Sequence, residues 1–256
     1  MKYYGKTDVG RKRSVNQDTF SIKQLSDDIL VAVVCDGMGG VSGGGIASSI
    51  ASDIYLSELT KNVAKYACNI DRPEPSVEIP RLLRRSVTTA NSFLNALSKR
   101  DTSLTGMGTT LVSALLFEGT LYACNIGDSR LYHISKDGIE QVTRDHSYVQ
   151  YLVDTGKMTA ADAKKSKKKN IITRAVGIDP QVEADIFRVQ TDGSGDDYFL
   201  LCTDGLSNLL EDNEILTIIR SKVYMYDELA VKASMLIEAA NSRGGNDNIT
   251  ALLIRV

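Results

Sequence analysis

The chain is short of cysteine, proline, net charge and long apolar runs, and each shortage closes off a class of protein. Its four cysteines, Cys35, Cys68, Cys124 and Cys202, form no Cys-x-x-Cys pair, and three of them lie inside apolar runs. They read as small core residues, not as a disulfide frame or a zinc site. Three of the four prolines (Pro73, Pro75, Pro80) fall in one stretch from Ala67 to Pro80, which the composition predicts to be a loop. A net charge of -2 argues against a dedicated nucleic-acid or membrane surface. No run approaches the ~20 residues of a membrane span, and Met1-Lys2-Tyr3-Tyr4-Gly5-Lys6 lacks the apolar stretch of a signal peptide. A cytoplasmic protein is expected. At 256 residues, 43% hydrophobic and 24% charged, the chain has the make-up of a soluble globular protein large enough to bury a substantial core.

What is present in quantity is aspartate at the margins of apolar runs. Val31-Ala32-Val33-Val34-Cys35 leads to Asp36-Gly37, Leu121 to Ile126 leads to Gly127-Asp128, and Tyr198 to Cys202 leads to Thr203-Asp204-Gly205. From the other side, Asn246-Asp247-Asn248 leads into Ile249 to Ile254. Each run reads as a buried strand and each Asp-Gly step as the turn at its end. Asp is favoured in turns for local reasons, so each could merely end its own strand. The alternative is that the strand ends converge on one rim. Two carboxylates ~4 Å apart repel by roughly 4 kcal/mol at the dielectric of a protein surface, so a convergent set needs cations among them. All-oxygen ligation suits Mg2+ or Mn2+ better than zinc.

The remaining pattern is one of short strands interrupted by helices. Ile29 to Cys35 predicts a strand, Ser42 to Leu59 a helix, and Arg81 to Arg100 a second helix with Leu83, Val87, Ala90, Leu94 and Leu97 on one face. Thr109 to Phe117, Leu121 to Ile126, Arg130 to Ile134 and Ile139 to Thr143 predict closely spaced strands, with hairpin turns at Glu118-Gly119 and Lys136-Asp137-Gly138. Spacing this short favours antiparallel pairing. His146 to Gly177 is polar and partly helical and carries Lys164, Lys165, Lys167, Lys168 and Lys169. Strands at Glu183 to Gln190 and Asp197 to Cys202, helices at Asp212 to Arg220 and Asp227 to Asn241, and a final strand complete the chain. The class expected is α+β: two packed antiparallel β-sheets, a sandwich flanked by helices on both sides.

The motifs, in order, resemble those of metal-dependent (type 2C, PPM) serine/threonine protein phosphatases in their bacterial form. Gly10-Arg11-Lys12-Arg13-Ser14-Val15-Asn16-Gln17-Asp18 is similar to the opening segment of that family, and Cys35-Asp36-Gly37-Met38-Gly39-Gly40 to its metal-binding loop. Gly106 to Leu111, Gly127-Asp128-Ser129-Arg130, Asp145-His146-Ser147, Thr203-Asp204-Gly205-Leu206 and Gly245 to Thr250 follow in the family's order. The resemblance spans essentially the whole chain and implies one phosphatase domain over 1–256, with a flap at about 146–177. It implies hydrolysis of phosphoserine or phosphothreonine by in-line attack of a water activated by a bridged pair of divalent ions, Mn2+ or Mg2+, with a third ion possible. Residue by residue, Asp36 would bridge two ions, the Gly37 carbonyl would complete one coordination sphere, and Asp204 and Asp247 would ligate on one side. Asp128 with Asp204 would hold the third ion, Asp18 would act through metal-bound water, and Arg13 would grip the phosphate. The expected partners are phosphorylated proteins, substrates of a serine/threonine kinase, with no nucleic acid or membrane and a monomeric chain.

Three positions depart from the family's pattern, the first of them from its animal members. Met38 stands where they carry a candidate acid histidine, so His146 becomes the possible proton donor, or else a structural histidine in a polar loop. Gln17 and Gly45 stand where an acidic residue is usual. The lysine run either attracts acidic substrates or is a solvated loop. Arg174 either reaches the site or makes a surface pair. Two other classes compete. A nucleotide-binding turn at Ile29 to Ile54 fails the G-x-G-x-x-G test, because Ser42 holds the last glycine position. A silent phosphoprotein-binding domain is disfavoured because Arg13 and every candidate ligand aspartate are intact.

Overall fold

The computed structural model describes residues 1–191, 195–223 and 227–256. In chain order its strands are β1 (Lys2–Asp8), β2 (Asp18–Ser26), β3 (Ile29–Met38), β4 (Gly108–Thr109), β5 (Leu111–Phe117), β6 (Thr120–Ile126), β7 (Arg130–Ser135), β8 (Gly138–Gln141), β9 (Asp185–Gln190), β10 (Tyr198–Cys202) and β11 (Ile249–Arg255). The helices are α1 (Gly40–Ala67), α2 (Pro75–Arg100), α3 (Tyr148–Asp154), α4 (Ala160–Lys165), α5 (Asp204–Ser207), α6 (Asp212–Arg220) and α7 (Glu228–Ser242). One antiparallel sheet runs β1-β11-β10-β7-β8, and the other runs β2-β3-β5-β6-β9 with β4 paired to β3.

Strand β3 shows how the layers arise. Its side chains alternate between two cores, as the two-residue period of a strand requires. Leu30, Ala32 and Val34, together with Val112 and Ala123 of the same sheet, face the other sheet, where they meet Leu201 and Leu252. Ile29, Val31, Val33 and Cys35 face helices α1 and α2, beside Tyr55, Leu59, Leu83 and Leu94. Both faces are covered, so the run is apolar throughout. The second sheet is treated likewise: Leu200, Cys202 and Leu253 pack on Ile215, Ile219, Leu236 and Ile237 of α6 and α7. The result is helix, sheet, sheet, helix, as the α+β sandwich reading expects.

The structure corrects several element assignments. Strand β3 runs through Asp36-Gly37 instead of turning there, because Gly37 and Met38 pair with Thr109 and Gly108 of β4. Asp204 opens a four-residue helix where a turn is expected. Helix α2 begins at Pro75, not Arg81, and so absorbs Pro75 and Pro80 from the predicted loop. Proline at the first position needs no N–H there; Pro80 removes one ladder bond from a long helix packed along one face. At the hairpin between β5 and β6, Glu118 (φ 48) and Gly119 (φ 75) both adopt left-handed conformations, which is the mirror-image turn that matches strand twist. All four cysteines are free, with Cys35, Cys124 and Cys202 buried. Among the described residues no helix is long and apolar enough to cross a membrane.

Candidate active site

Asp36 has the same parity along β3 as Leu30, Ala32 and Val34, so it points between the sheets, at the point where the apolar filling gives out. Its cross-strand partner is Asp18 of β2. Like charges directly opposite on a sheet are destabilising, and here the pairing is built into the register. The backbone of Asp36 is held from both sides by the Gly-Thr-Thr segment. Its N–H donates to the Thr110 hydroxyl (2.9 Å), and its carbonyl accepts from the Thr110 N–H (2.9 Å) and the Thr109 hydroxyl (2.8 Å). Thr110 in turn bonds the Ser129 hydroxyl at 2.7 Å, beside Asp128.

A cavity of about 510 Å³ opens at this end of the sandwich, and Arg13, Asp36, Gly37, Asp128, Asp204 and Asp247 all line it. Asp204 stands at the start of α5, where the N-terminal backbone favours a negative charge. Its carboxylate accepts from the Asn208 amide at 3.0 Å. Asp247 lies just before β11 and receives Arg13 as a two-pronged pair, Nε to Oδ1 at 2.8 Å and a terminal nitrogen to Oδ2 at 2.9 Å. Asp18 is buried beneath the cavity, where its Oδ2 accepts from the hydroxyls of Thr203 (2.9 Å) and Thr250 (2.7 Å). Its Oδ1 is buried without a hydrogen-bond partner. An orphaned carboxylate oxygen in a buried site is costly unless a cation or an ordered water meets it.

The electrostatics follow from this crowding. Burial, then the charges of Asp18, Asp204, Asp128 and Asp247, push Asp36 well above the ordinary carboxylate range. Burial and neighbouring carboxylates likewise raise Asp204 to about 6, Asp18 to about 7 and Asp128 to about 8. Asp36 and Asp204 come within hydrogen-bonding reach of each other, while among the described residues no three acidic, histidine or cysteine side chains form a ready-made cage for an ion. The donor set, all oxygen and mutually repelling, fits divalent cations.

His146 lies elsewhere. Its Nδ1 accepts from the Gly127 N–H (3.2 Å), which places the ring proton on Nε2, facing Asp185 Oδ2 at 3.1 Å. Arg174 donates to Asp185 Oδ1 at 2.9 Å and closes the group. Burial holds His146 below the usual histidine range. The ring does not border the cavity and supports the Gly127-Asp128 turn from behind. The lysine run divides: Lys164 pairs with Glu211, Lys168 stacks over the Tyr148 ring, and Lys169 borders a second cavity that shares Asp128 and Asp204 with the first. Gln17 donates its amide to the Gly40 carbonyl at 2.8 Å, and Gly45 has open space around it. Thr109, Thr110, Thr203 and Thr250 fall inside the family's motifs, but the sequence gives no sign of their role, because nothing around a threonine separates a supporting hydroxyl from a filler.

A sandwich whose strand ends gather carboxylates beside an arginine belongs to a known class of protein. Residues 8–236 match the family described as protein phosphatase 2C, and the chain belongs to that family; it is a protein serine/threonine phosphatase. It is 36% identical over 249 residues to the serine/threonine phosphatase stp of Listeria monocytogenes, covering 97% of this chain and 93% of that one. Protein phosphatase PhpP of Streptococcus pneumoniae is 35% identical, at 97% and 94% coverage. The crystal structure of serine/threonine phosphatase Stp1 from Staphylococcus aureus superposes with a TM-score of 0.85 at 32% identity, covering 99% of this chain and 94% of that chain. The catalytic domain of serine threonine protein phosphatase PstP, in complex with 2 manganese ions, gives 0.79 at 31% identity, with 98% and 96% covered.

Proposed function

We propose that the cavity hydrolyses phosphoserine and phosphothreonine in proteins with divalent metal ions held by Asp36, Gly37, Asp128, Asp204 and Asp247. The observation that carries this reading is the convergence of four carboxylates from separate strand ends, each raised or crowded by its neighbours, around one cavity that also contains Arg13. Asp36, which feels all the others, is the residue suited to bridge two ions. Asp204 and Asp247 would ligate on one side, and Asp128 with Asp204 would accept a third. When bound, Mn2+ or Mg2+ supplies Lewis-acid charge and an activated water for in-line displacement.

The chain's own groups do the rest. Asp18, with Oδ2 fixed by two threonines and Oδ1 left without a partner, would support the metals through a water of their shell. Arg13, whose inner edge is held by Asp247, would offer the outer edge formed by its two terminal nitrogens to the phosphoryl oxygens and stabilise charge as it spreads over them. His146 we assign to holding the Gly127-Asp128 turn, because its ring proton is committed to Asp185; proton delivery to the leaving serine or threonine oxygen then falls to solvent in the cavity. The segment 146–177 forms the flap beside the site, and the chain acts as one phosphatase domain. Its substrates would be products of a serine/threonine kinase.

The test is phosphate release from phosphoserine and phosphothreonine peptides by protein stripped of metal and then titrated with Mn2+ or Mg2+. Activity should appear only on titration, and Asp36→Asn should abolish it together with high-affinity metal binding measured by calorimetry. Metal-independent turnover of the stripped protein would end the proposal. Arg13→Ala should lower kcat/KM by on the order of 10- to 100-fold, the worth of charge-assisted hydrogen bonds, while leaving metal affinity in place.

A further inference from the structure

Arg13 sits in the loop between β1 and β2, with its side chain 54% exposed. An exposed arginine on a loop is a poor phosphate clamp unless the loop itself is fixed, since rotamer and backbone freedom must both be lost on binding. The fixing comes from one buried side chain at the far end of the sequence. Asn248, 5% exposed, donates from Nδ2 to the carbonyl of Val9 (3.0 Å) and to the carbonyl of Val15 (3.0 Å). Its Oδ1 accepts from the Gln17 N–H at 2.9 Å. Two donors and one acceptor are thus spent on backbone groups that bracket Arg13 on both sides. The backbone N–H of Asn248 also donates to Asp247 Oδ1 at 2.9 Å, the oxygen that meets Arg13 Nε. One residue therefore sets the height of the loop and the orientation of the carboxylate opposite it.

We propose that Asn248 is the positioning residue for Arg13: its carboxamide holds the 9–17 loop so that the guanidinium addresses the phosphoryl group. The inference rests on the reading of Arg13 as the phosphate-binding group. No other side chain among the described residues grips this loop at three backbone points, and no ordinary substitution reproduces the pattern. Aspartate lacks the donors, serine keeps one hydroxyl, and alanine orphans all three backbone groups.

A double-mutant cycle tests it, with p-nitrophenyl phosphate as substrate, inorganic phosphate as competitive inhibitor, and Mn2+ affinity read separately by calorimetry. Asn248→Ala should raise the inhibition constant of inorganic phosphate by about tenfold when Arg13 is present and by less than about twofold in an Arg13→Ala background, because residues acting as a unit are non-additive. Mn2+ affinity should change little in either. Asn248→Ser should give a smaller increase with the same dependence on Arg13, and it carries the test if the alanine variant does not fold. Equal losses in both backgrounds, or a loss of Mn2+ affinity in step with the loss of phosphate binding, would overturn the positioning role while leaving Arg13 as the clamp. An Arg13→Ala variant with unchanged phosphate inhibition would overturn the Arg13 reading and this inference with it.

Discussion

Asp18 carries the clearest consequence at the scale of one residue. Burial and the nearby carboxylates raise it from 3.8 to about 7. A raised carboxyl binds its proton more tightly in the folded chain than in the unfolded one. Its contribution is therefore fully present below the unfolded value near 3.8 and is lost as pH rises through about 7. Asparagine carries no such charge and can still meet the hydroxyls of Thr203 and Thr250. In metal-free protein, Asp18→Asn should flatten the fall of Tm between pH 5 and pH 8, even as it lowers turnover; an unchanged slope in thermal melts would count against the burial argument. Asp36, Asp128, Asp204 and Asp247 were legible in the sequence because each sits at the margin of an apolar run, whereas Asp18 entered only through the family resemblance. Their supports were not legible. A threonine in a strand looks like any β-branched residue until the register places its hydroxyl against a carboxylate.

At the scale of elements, the contact between β3 and the start of α1 admits no side chain. A Cβ on Gly37 would lie 2.0 Å from the Gly44 carbonyl oxygen and 2.8 Å from that of Gln17, both backbone atoms that cannot swing away. Gly37→Ala should therefore force strand and helix apart and lower Tm by several degrees, the yield of an overpacked site costing about 1–3 kcal/mol, with weaker Mn2+ binding in parallel. Deeper in the same layer, the Tyr55 hydroxyl of α1 bonds Ser113 of β5 at 2.5 Å in a fully buried setting. Ser113→Ala leaves that hydroxyl only the weak Cys124 thiol as a partner and should cost about 1 kcal/mol in denaturant unfolding, without changing metal affinity. The interior strands were readable from the sequence because both of their faces are buried. Strands β1 and β2 were not: they lie at the edges of their sheets, half-exposed, and Lys2–Asp8 mixes lysine, tyrosine and glycine with no clear period. The start of α2 was hidden for a different reason, since prolines that signal loops in isolation are tolerated in the opening turns of a helix.

At the scale of the whole molecule, each sheet supplies part of the carboxylate ring: β3 and the turn after β6 belong to one, and the segments flanking β10 and β11 to the other. Ionising Asp204 (about 6), Asp18 (about 7) and Asp128 (about 8) together pushes that end of the sandwich apart. Chelated protein should lose thermal stability steadily from pH 5 to pH 8, the stabilisation being present at the acid end and lost as these groups deprotonate. Mn2+ at a hundredfold excess over its Kd should restore about 2.7 kcal/mol, or roughly 5–10 °C in Tm, with the greatest gain at the alkaline end. Differential scanning calorimetry across that pH range, with and without Mn2+, checks both signs. The sandwich was readable at this scale because short strands with tight turns leave few other architectures. The meeting of distant aspartates was one of two readings that the strand ends left open, and the motif order taken as a set decided between them.

The neck of the segment 146–177 has one further consequence. Its two ends run side by side, joined by the bridge Ser147↔Ile172, by Tyr148 N–H to the Ile171 carbonyl at 2.8 Å and by Thr173 N–H to the His146 carbonyl at 2.8 Å. Everything between them is an appendage on a closed stem. Lengthening such an appendage is cheap, about 0.6 kcal/mol for each doubling. The lobe beyond that stem is therefore an interchangeable part, and exchanging its helices for those of a relative tests the flap role proposed above: the set of phosphopeptides hydrolysed should change while Mn2+ affinity stays the same.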